Sequence, residues 1–334
     1  MSEPLELVKA LVSPTEKLID AIKDAVGTVY EPRHKRKMAD ATAYEINVVS
    51  KAMRNAADTS MVYDENGMKI NSEDFSHLVQ RAGERFVQQE LMKQRNIENV
   101  IDSAYDILEK EDRCSEEPIE RGWLNRFFNS VADVSDEDLQ KLWGKVLAGE
   151  IKQPKSYSLR TLETLKNISK YEAELFQKIV PYIVEMSGTL FLTSKKQLLE
   201  KYGIEYGEIL RLDECGLINS NGLITVNPPL SNAKEVALHN RSKLMIMQGI
   251  ETEENVVSIG SYGLTGAGIE LFHIIQSDSD DDFLYDLAED IVSNNIGKVL
   301  ITAYKINYIN ENVINYDDTV LREFPQKENE GEPQ

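Results

Sequence analysis

Cysteine is nearly absent from this chain. Cys114 and Cys215 are its only two, they lie in neither a CxxC nor another metal-ligand spacing, and a disulfide framework is excluded, which points to a reducing compartment. Long apolar runs are missing too. No stretch of about 18 apolar residues occurs, which excludes a transmembrane helix on length, and Glu3, Glu6 and Lys9 interrupt the first apolar residues too early for a signal peptide. The expected location is cytoplasmic, with peripheral attachment to the inner membrane as a variant of it. Positive charge is the third deficit: 37 Lys and Arg face 57 Asp and Glu, a formal net charge of -20. Such a surface repels a polyanion on average, so nucleic acid is not an expected partner. The histidines, His34, His77, His239 and His273, contain no pair at the i, i+4 spacing of a zinc helix. No cofactor and no metal is expected.

What is present is enough apolar material for two modest cores, 41% of 334 residues, and two or three domains on length. Both tryptophans fall in one short stretch. Trp123, Phe127 and Phe128, then Trp143 and Leu147, repeat three and four residues apart around Ser135-Asp136-Glu137-Asp138. This spacing predicts two amphipathic helices, the second capped at Ser135-Asp136 with carboxylates in its first turn, where the helix dipole favours them. Trp123, Phe127, Trp143 and Leu147 are the expected centre of the core.

Before this unit the pattern is helical. Ser13 can cap a helix with Pro14 first and Glu16 in its opening turn. Glu31-Pro32 interrupts it, and Arg33-His34-Lys35-Arg36-Lys37 begins another helix running to about Asp58. Asp64-Glu65-Asn66-Gly67 reads as a turn. A long helix follows from Ser72 to about Lys110, of a length that packs against a similar helix or a second copy of the chain, so a homo-oligomer is expected. After the polar segment 112–118 and the Trp unit come a helix from Ser158-Leu159-Arg160 and one from Lys170 through Ile183, kinked at Pro181 and ending at Gly188.

Beyond Gly188 the period changes. Thr189-Leu190-Phe191-Leu192 is strand-like, residues 194–202 and 206–214 read as two short helices, and Gly216-Leu217-Ile218 with Leu223-Ile224-Thr225-Val226 across Asn219-Ser220-Asn221-Gly222 reads as a hairpin. Helix, helix, hairpin is a winged-helix-like order. Strands are expected at 243–247, 256–259 and 298–304, and helices from about Thr265 and over 282–294. The fold class is therefore α+β: an all-helical N-terminal half with long amphipathic helices, then an α+β domain with a winged-helix-like segment. Its expected divisions are 1–111 (long helices), 119–187 (Trp-rich), 188–326 (α+β) and a Glu- and Pro-rich tail, 327–334, expected to be disordered.

Several of these segments resemble a known group. Leu18-Ile19 through Gly27, Tyr30-Glu31-Pro32-Arg33, residues 123–150, Ser158-Leu159-Arg160-Thr161-Leu162 and Leu264-Thr265-Gly266-Ala267-Gly268-Ile269-Glu270-Leu271 look like a bacterial family of unknown function. Its N-terminal half is similar to Abi-alpha abortive-infection proteins. The resemblance implies a bacterial protein with a role in resistance to phage, and it supplies no catalytic residues to transfer.

No catalytic constellation stands out. The helix over 18–30 followed by Arg33, Lys35, Arg36 and Lys37 has the arrangement of a membrane-surface anchor meeting anionic headgroups. Its alternative, a bundle helix next to a solvated basic turn, is preferred. Arg211 stands against Glu208, Asp213 and Glu214 on the second winged-helix-like helix, which favours a protein contact or a purely structural wing over a DNA contact. Asp278, Asp280, Asp281 and Asp282 lack EF-hand spacing and read better as a helix start. Gly260, Gly263, Gly266 and Gly268 match neither GxGxxG nor a P-loop, and read as a tight strand-to-helix turn capped by Thr265. The expected function is a non-enzymatic defence factor acting by oligomerisation and by protein or membrane-surface contacts. Its alternative is a regulatory or scaffold protein binding others through the winged-helix-like and acidic C-terminal surfaces.

Overall fold

A computed structural model describes residues 13–26, 73–220, 225–253, 255–275, 278–310 and 313–325. By compactness the chain divides into Met1–Leu162 and Glu163–Gln334, a coarser division than the composition suggests. Among the described residues, every element of the first unit is a helix: α1 (Pro14–Val26), α2 (Glu73–Leu108), α3 (Arg121–Val131), α4 (Glu137–Lys152) and the start of α5 (Leu159–Asn167). Pro14 opens α1 and Glu16 lies in its first turn. Asp136 caps α4, its carboxylate accepting from the N–H groups of Asp138 and Leu139 at 3.0 and 3.1 Å, so two otherwise orphaned donors are satisfied at the end the macrodipole makes positive.

The aromatic residues of α3 and α4 form one cluster. Phe127 stacks on Trp123 with ring centroids 5.1 Å apart and meets Trp143 edge-on at 5.3 Å. Trp143, Leu147 and Phe127 are fully buried, and Trp123 is 4% exposed. Leu18 and Ile22 of α1 are buried in the same unit, as are Val100, Ile101, Ala104 and Leu108 of α2. The apolar face of α1 is thus covered by protein, as a bundle helix requires. The loop after α4 is held from inside. Buried Glu150 accepts from the N–H groups of Lys155 and Tyr157 at 2.7 and 3.1 Å, and the Trp123 indole donates to Tyr157 O at 2.8 Å.

The second unit continues with α6 (Lys170–Ile179) and a 3-10 turn, Val180–Tyr182. Here the expected helix through Ile183 is corrected. Pro181 brings it to an end, and Val184–Met186 is strand β1, paired with β2 (Thr189–Thr193) in a tight hairpin. Ser187 and Gly188 form its turn, both at positive φ, 51° and 79°, as the preferred two-residue hairpin turns require. Then come α7 (Lys196–Lys201), α8 (Tyr206–Glu214), β3 (Ile218–Asn219), β4 (Thr225–Val226), β5 (Pro229–Leu230), β6 (Glu235–His239), β7 (Lys243–Gly249), β8 (Asn255–Val256) and β9 (Ile259–Leu264). Helices α9 (Gly266–Ile274) and α10 (Asp281–Asn294) precede β10 (Val299–Asn310) and β11 (Val313–Phe324).

One antiparallel sheet dominates this unit, in the order β11-β10-β7-β6-β1-β2-β9-β3, with β4 also on β9. The expected hairpin of 216–218 with 223–226 is corrected by this order. Ile218 and Asn219 pair with Leu264 and Gly263, while Thr225 and Val226 pair with Gly260 and Ile259, so both segments line β9. On its other side β9 pairs with β2, Phe191 opposite Gly263. Helix α10 packs on β7, β10 and β11, burying Phe283, Leu284, Leu287, Ala288 and Ile291. The chain is thus a mixed α and β fold whose sheet lies in its C-terminal part.

Candidate functional site

Helices α7 and α8 are joined by Tyr202-Gly203-Ile204-Glu205, a four-residue turn with Gly203 at φ 72°, the connection typical of helix-turn-helix units. At the start of α8 the Glu208 carboxylate reaches back to accept from the Glu205 N–H at 3.0 Å. Ile209 and Leu212 turn inward and are fully buried, which leaves Tyr206 and Leu210, one turn apart, 52% and 40% exposed. Beside them is a cleft of about 240 Å³ lined by Lys196, Leu199, Ile204, Tyr206 and Tyr262. Burial pushes the Tyr262 phenol up from its ordinary pKa, and the nearby Tyr206 phenol adds to the shift.

The charges around this cleft are mostly spoken for. Lys201 pairs with Asp286, which also accepts from the Tyr202 hydroxyl at 2.6 Å. Burial would raise the Asp286 carboxyl, but the hydrogen bonds from Lys201 and Tyr202 outweigh it and hold the group below the usual carboxylate range. Lys195 meets Asp290 at 2.9 Å and Lys178 meets Glu208 at 2.7 Å. Arg211 lies 3.4 Å from Glu214 and 4.0 Å from Glu172. The outward face of α8 therefore carries apolar and acidic side chains, with Arg211 paired to Glu214 among them. Behind it, burial pushes the Cys215 thiol up to about 12, helped by its hydrogen bond to Glu172, so the thiol stays protonated and inert at neutral pH.

The acidic residues before α10 act as a helix start. Asp280 accepts from Phe283 N–H at 2.8 Å, and Asp281 takes Ser242 and, at 3.1 Å, Lys243 from the turn between β6 and β7. Among the described residues no three His, Cys, Asp or Glu side chains gather in a way that could hold a metal. In the glycine-rich stretch, Gly268 is the residue whose missing side chain packing requires. Thr265 caps α9 by accepting from Gly268 N–H at 3.1 Å and donates to Gly216 O at 2.6 Å. A Cβ on Gly268 would stand 2.1 Å from Leu217 O.

Of the residues singled out from sequence, Trp123, Phe127, Trp143 and Leu147 come together in the first unit's core. Arg33, Lys35, Arg36 and Lys37 lie outside the described residues, as do the turn at 64–67, the helix expected to about residue 58 and the tail from 327. The cleft residues were not among those singled out. Tyr262 sits in a strand that the glycines disguise, and the readable signal was the outward pair Tyr206 and Leu210 on α8. No described helix is long and apolar enough to cross a membrane. No curated protein and no solved structure matches the chain. Residues 80–288, more than half of the sequence, match the family described as protein of unknown function (DUF2806), and the chain belongs to that family.

Proposed function

We propose that this chain is a non-enzymatic binding protein. Its second unit engages a protein partner through a winged-helix-type module, and its first unit joins copies of the chain. The observation that carries the reading is the outward face of α8. In a DNA-binding helix-turn-helix this face enters the major groove, whereas here it offers Tyr206 and Leu210 among Glu205, Asp213 and Glu214, with Arg211 beside Glu214. The module itself is supported by strand order. Two helices, α7 and α8, separate β2 from β3, and β9 pairs between those strands in the order β2-β9-β3, so β9 takes the role of the last strand. Phosphate would meet repulsion on α8, and an apolar protein surface would not.

Self-association is supported by α2. Over residues 78–92 it exposes Leu78, Phe86 and Met92 at 53%, 52% and 65%, large apolar side chains suited to matching ones on a second copy. The abortive-infection setting, taken from the resemblance of the N-terminal half, belongs to this proposal as its cellular context. A membrane-surface contact through Arg33, Lys35, Arg36 and Lys37 is the subordinate reading, since Leu18 and Ile22 of the preceding helix are already buried in protein.

The test is a photo-crosslinking residue placed at Leu210 in the full chain, expressed in its native host. Protein adducts absent at a control position on the opposite side of the unit are the expected result. Adducts to nucleic acid or lipid alone, or none, overturn the reading. Plaque counts with and without the gene test the defence setting, and flotation with anionic vesicles tests the membrane contact.

A further inference from the structure

The cleft beside α8 has the dimensions and chemistry of a pocket for one side chain. Leu199, Ile204 and Tyr262 make its floor, at 4%, 1% and 7% exposure, and half-exposed Tyr206 makes one wall. Its volume, about 240 Å³, falls below the roughly 300 Å³ at which small-molecule and cofactor sites begin. A large apolar group can enter it, as an anchor residue enters a pocket at a protein interface.

The rim carries one usable charge. Lys196 approaches Glu200 only at 3.5 Å, with 71% of the lysine side chain exposed. Such an exposed pair holds its partners weakly, so the ammonium is available to a second carboxylate. Lys195 and Lys201, its nearest basic neighbours in sequence, are engaged by Asp290 and Asp286. An exposed ammonium of this kind can meet one further carboxylate through a charge-assisted hydrogen bond. Leu210, a turn beyond Tyr206, extends the apolar strip along α8.

Resting on the binding role proposed above, we infer that this cleft receives a large apolar side chain of a partner polypeptide, with an Asp or Glu within two residues of it meeting Lys196. The partner is thus a peptide segment of apolar-acidic character. Tyr206 supplies the wall that closes on the apolar group, and Lys196 sets the sign of the flanking residue.

The experiment is selection from a random peptide library on the immobilised full chain, run in parallel on Tyr206→Ala and Lys196→Glu. Both side chains are outward, so both variants keep the fold, which circular dichroism checks. Peptides pairing a large apolar residue with Asp or Glu are expected from the wild type. They lose about tenfold in affinity, about 1.4 kcal/mol, on Tyr206→Ala, and Lys196→Glu selects Lys or Arg in place of the acid. Enriched peptides that lack the acid, bind both variants undiminished, or fail to appear at all overturn the inference. Crosslinking from Leu210 separates the two levels: protein adducts together with any of those three results remove the pocket assignment and leave the binding role, and no adducts remove the role itself.

Discussion

Gly268 shows how one residue without a side chain sets how closely α9 approaches the segment before β3. Leu217 O lies where its Cβ would be, 2.1 Å away, and both neighbours are backbone, in β3's approach and in α9, so neither can swing aside. Gly268→Ala is expected to cost about 1–3 kcal/mol, the range of overpacked cores, read as a lower urea midpoint at unchanged slope. Glu172 makes a pH prediction. The Ser169 N–H and then the Ser169 hydroxyl donate to its carboxylate and hold its pKa below the ordinary value. A carboxyl whose folded pKa is depressed contributes stability at pH above its unfolded value and loses it as pH falls through the folded value. Glu172→Ala is therefore expected to lower the melting temperature at pH 7, with the gap to wild type closing as the pH falls below about 4.5. A gap that persists at acid pH counts against the assignment. At this scale the sequence was informative wherever a residue's role is local: Asp136, Asp280 and Thr265 cap the helices that follow them, because a cap depends on neighbours three residues away.

Among the elements, those with the longest repeat were the most legible. Helices α2, α4 and α10 carry several turns of apolar spacing between recognisable ends, so their existence follows from local pattern and their stability from the face they bury. Asp136→Ala is expected to remove about 1 kcal/mol, measured by thermal unfolding. The strands were harder. β1 is three residues long and directly follows a helical apolar series, so its own period cannot be sampled. β9 contains Gly260 and Gly263, poor strand formers, yet it is central, held by β2 on one side and by β3 and β4 on the other. β11 was missed for another reason. Ala303 pairs with Arg322 but Lys305 already pairs with Asp317, so a bulge of extra residues breaks the alternation that identifies a strand. The winged-helix-like hairpin failed in the same way: Asn221-Gly222 is a good turn signal, but β9, many residues later, supplies the better partner for both flanking segments.

For the molecule as a whole, charge and exposed apolar surface decide behaviour. The net charge of -20 keeps copies apart unless a specific contact outweighs the repulsion, and the exposed apolar side chains on α2 are the candidate for that contact. Leu78→Glu with Phe86→Glu is expected to reduce the mass measured by light scattering to that of a single chain, with helix content unchanged. An unaltered mass, or a wild type already monomeric, removes self-association through α2. The sequence by itself determined the helical character of the first unit's described elements, the aromatic core around Trp123 and Trp143, and the helix starts, because these follow from spacing within one or two turns. Only the tertiary structure decided that β9 parts β2 from β3, that Gly268 serves packing, and that Tyr262 meets Leu199, Ile204 and Tyr206 in one cleft. Those outcomes join residues far apart in the chain, and pairing between distant segments is settled by burial and backbone hydrogen bonding in three dimensions, which no local pattern encodes.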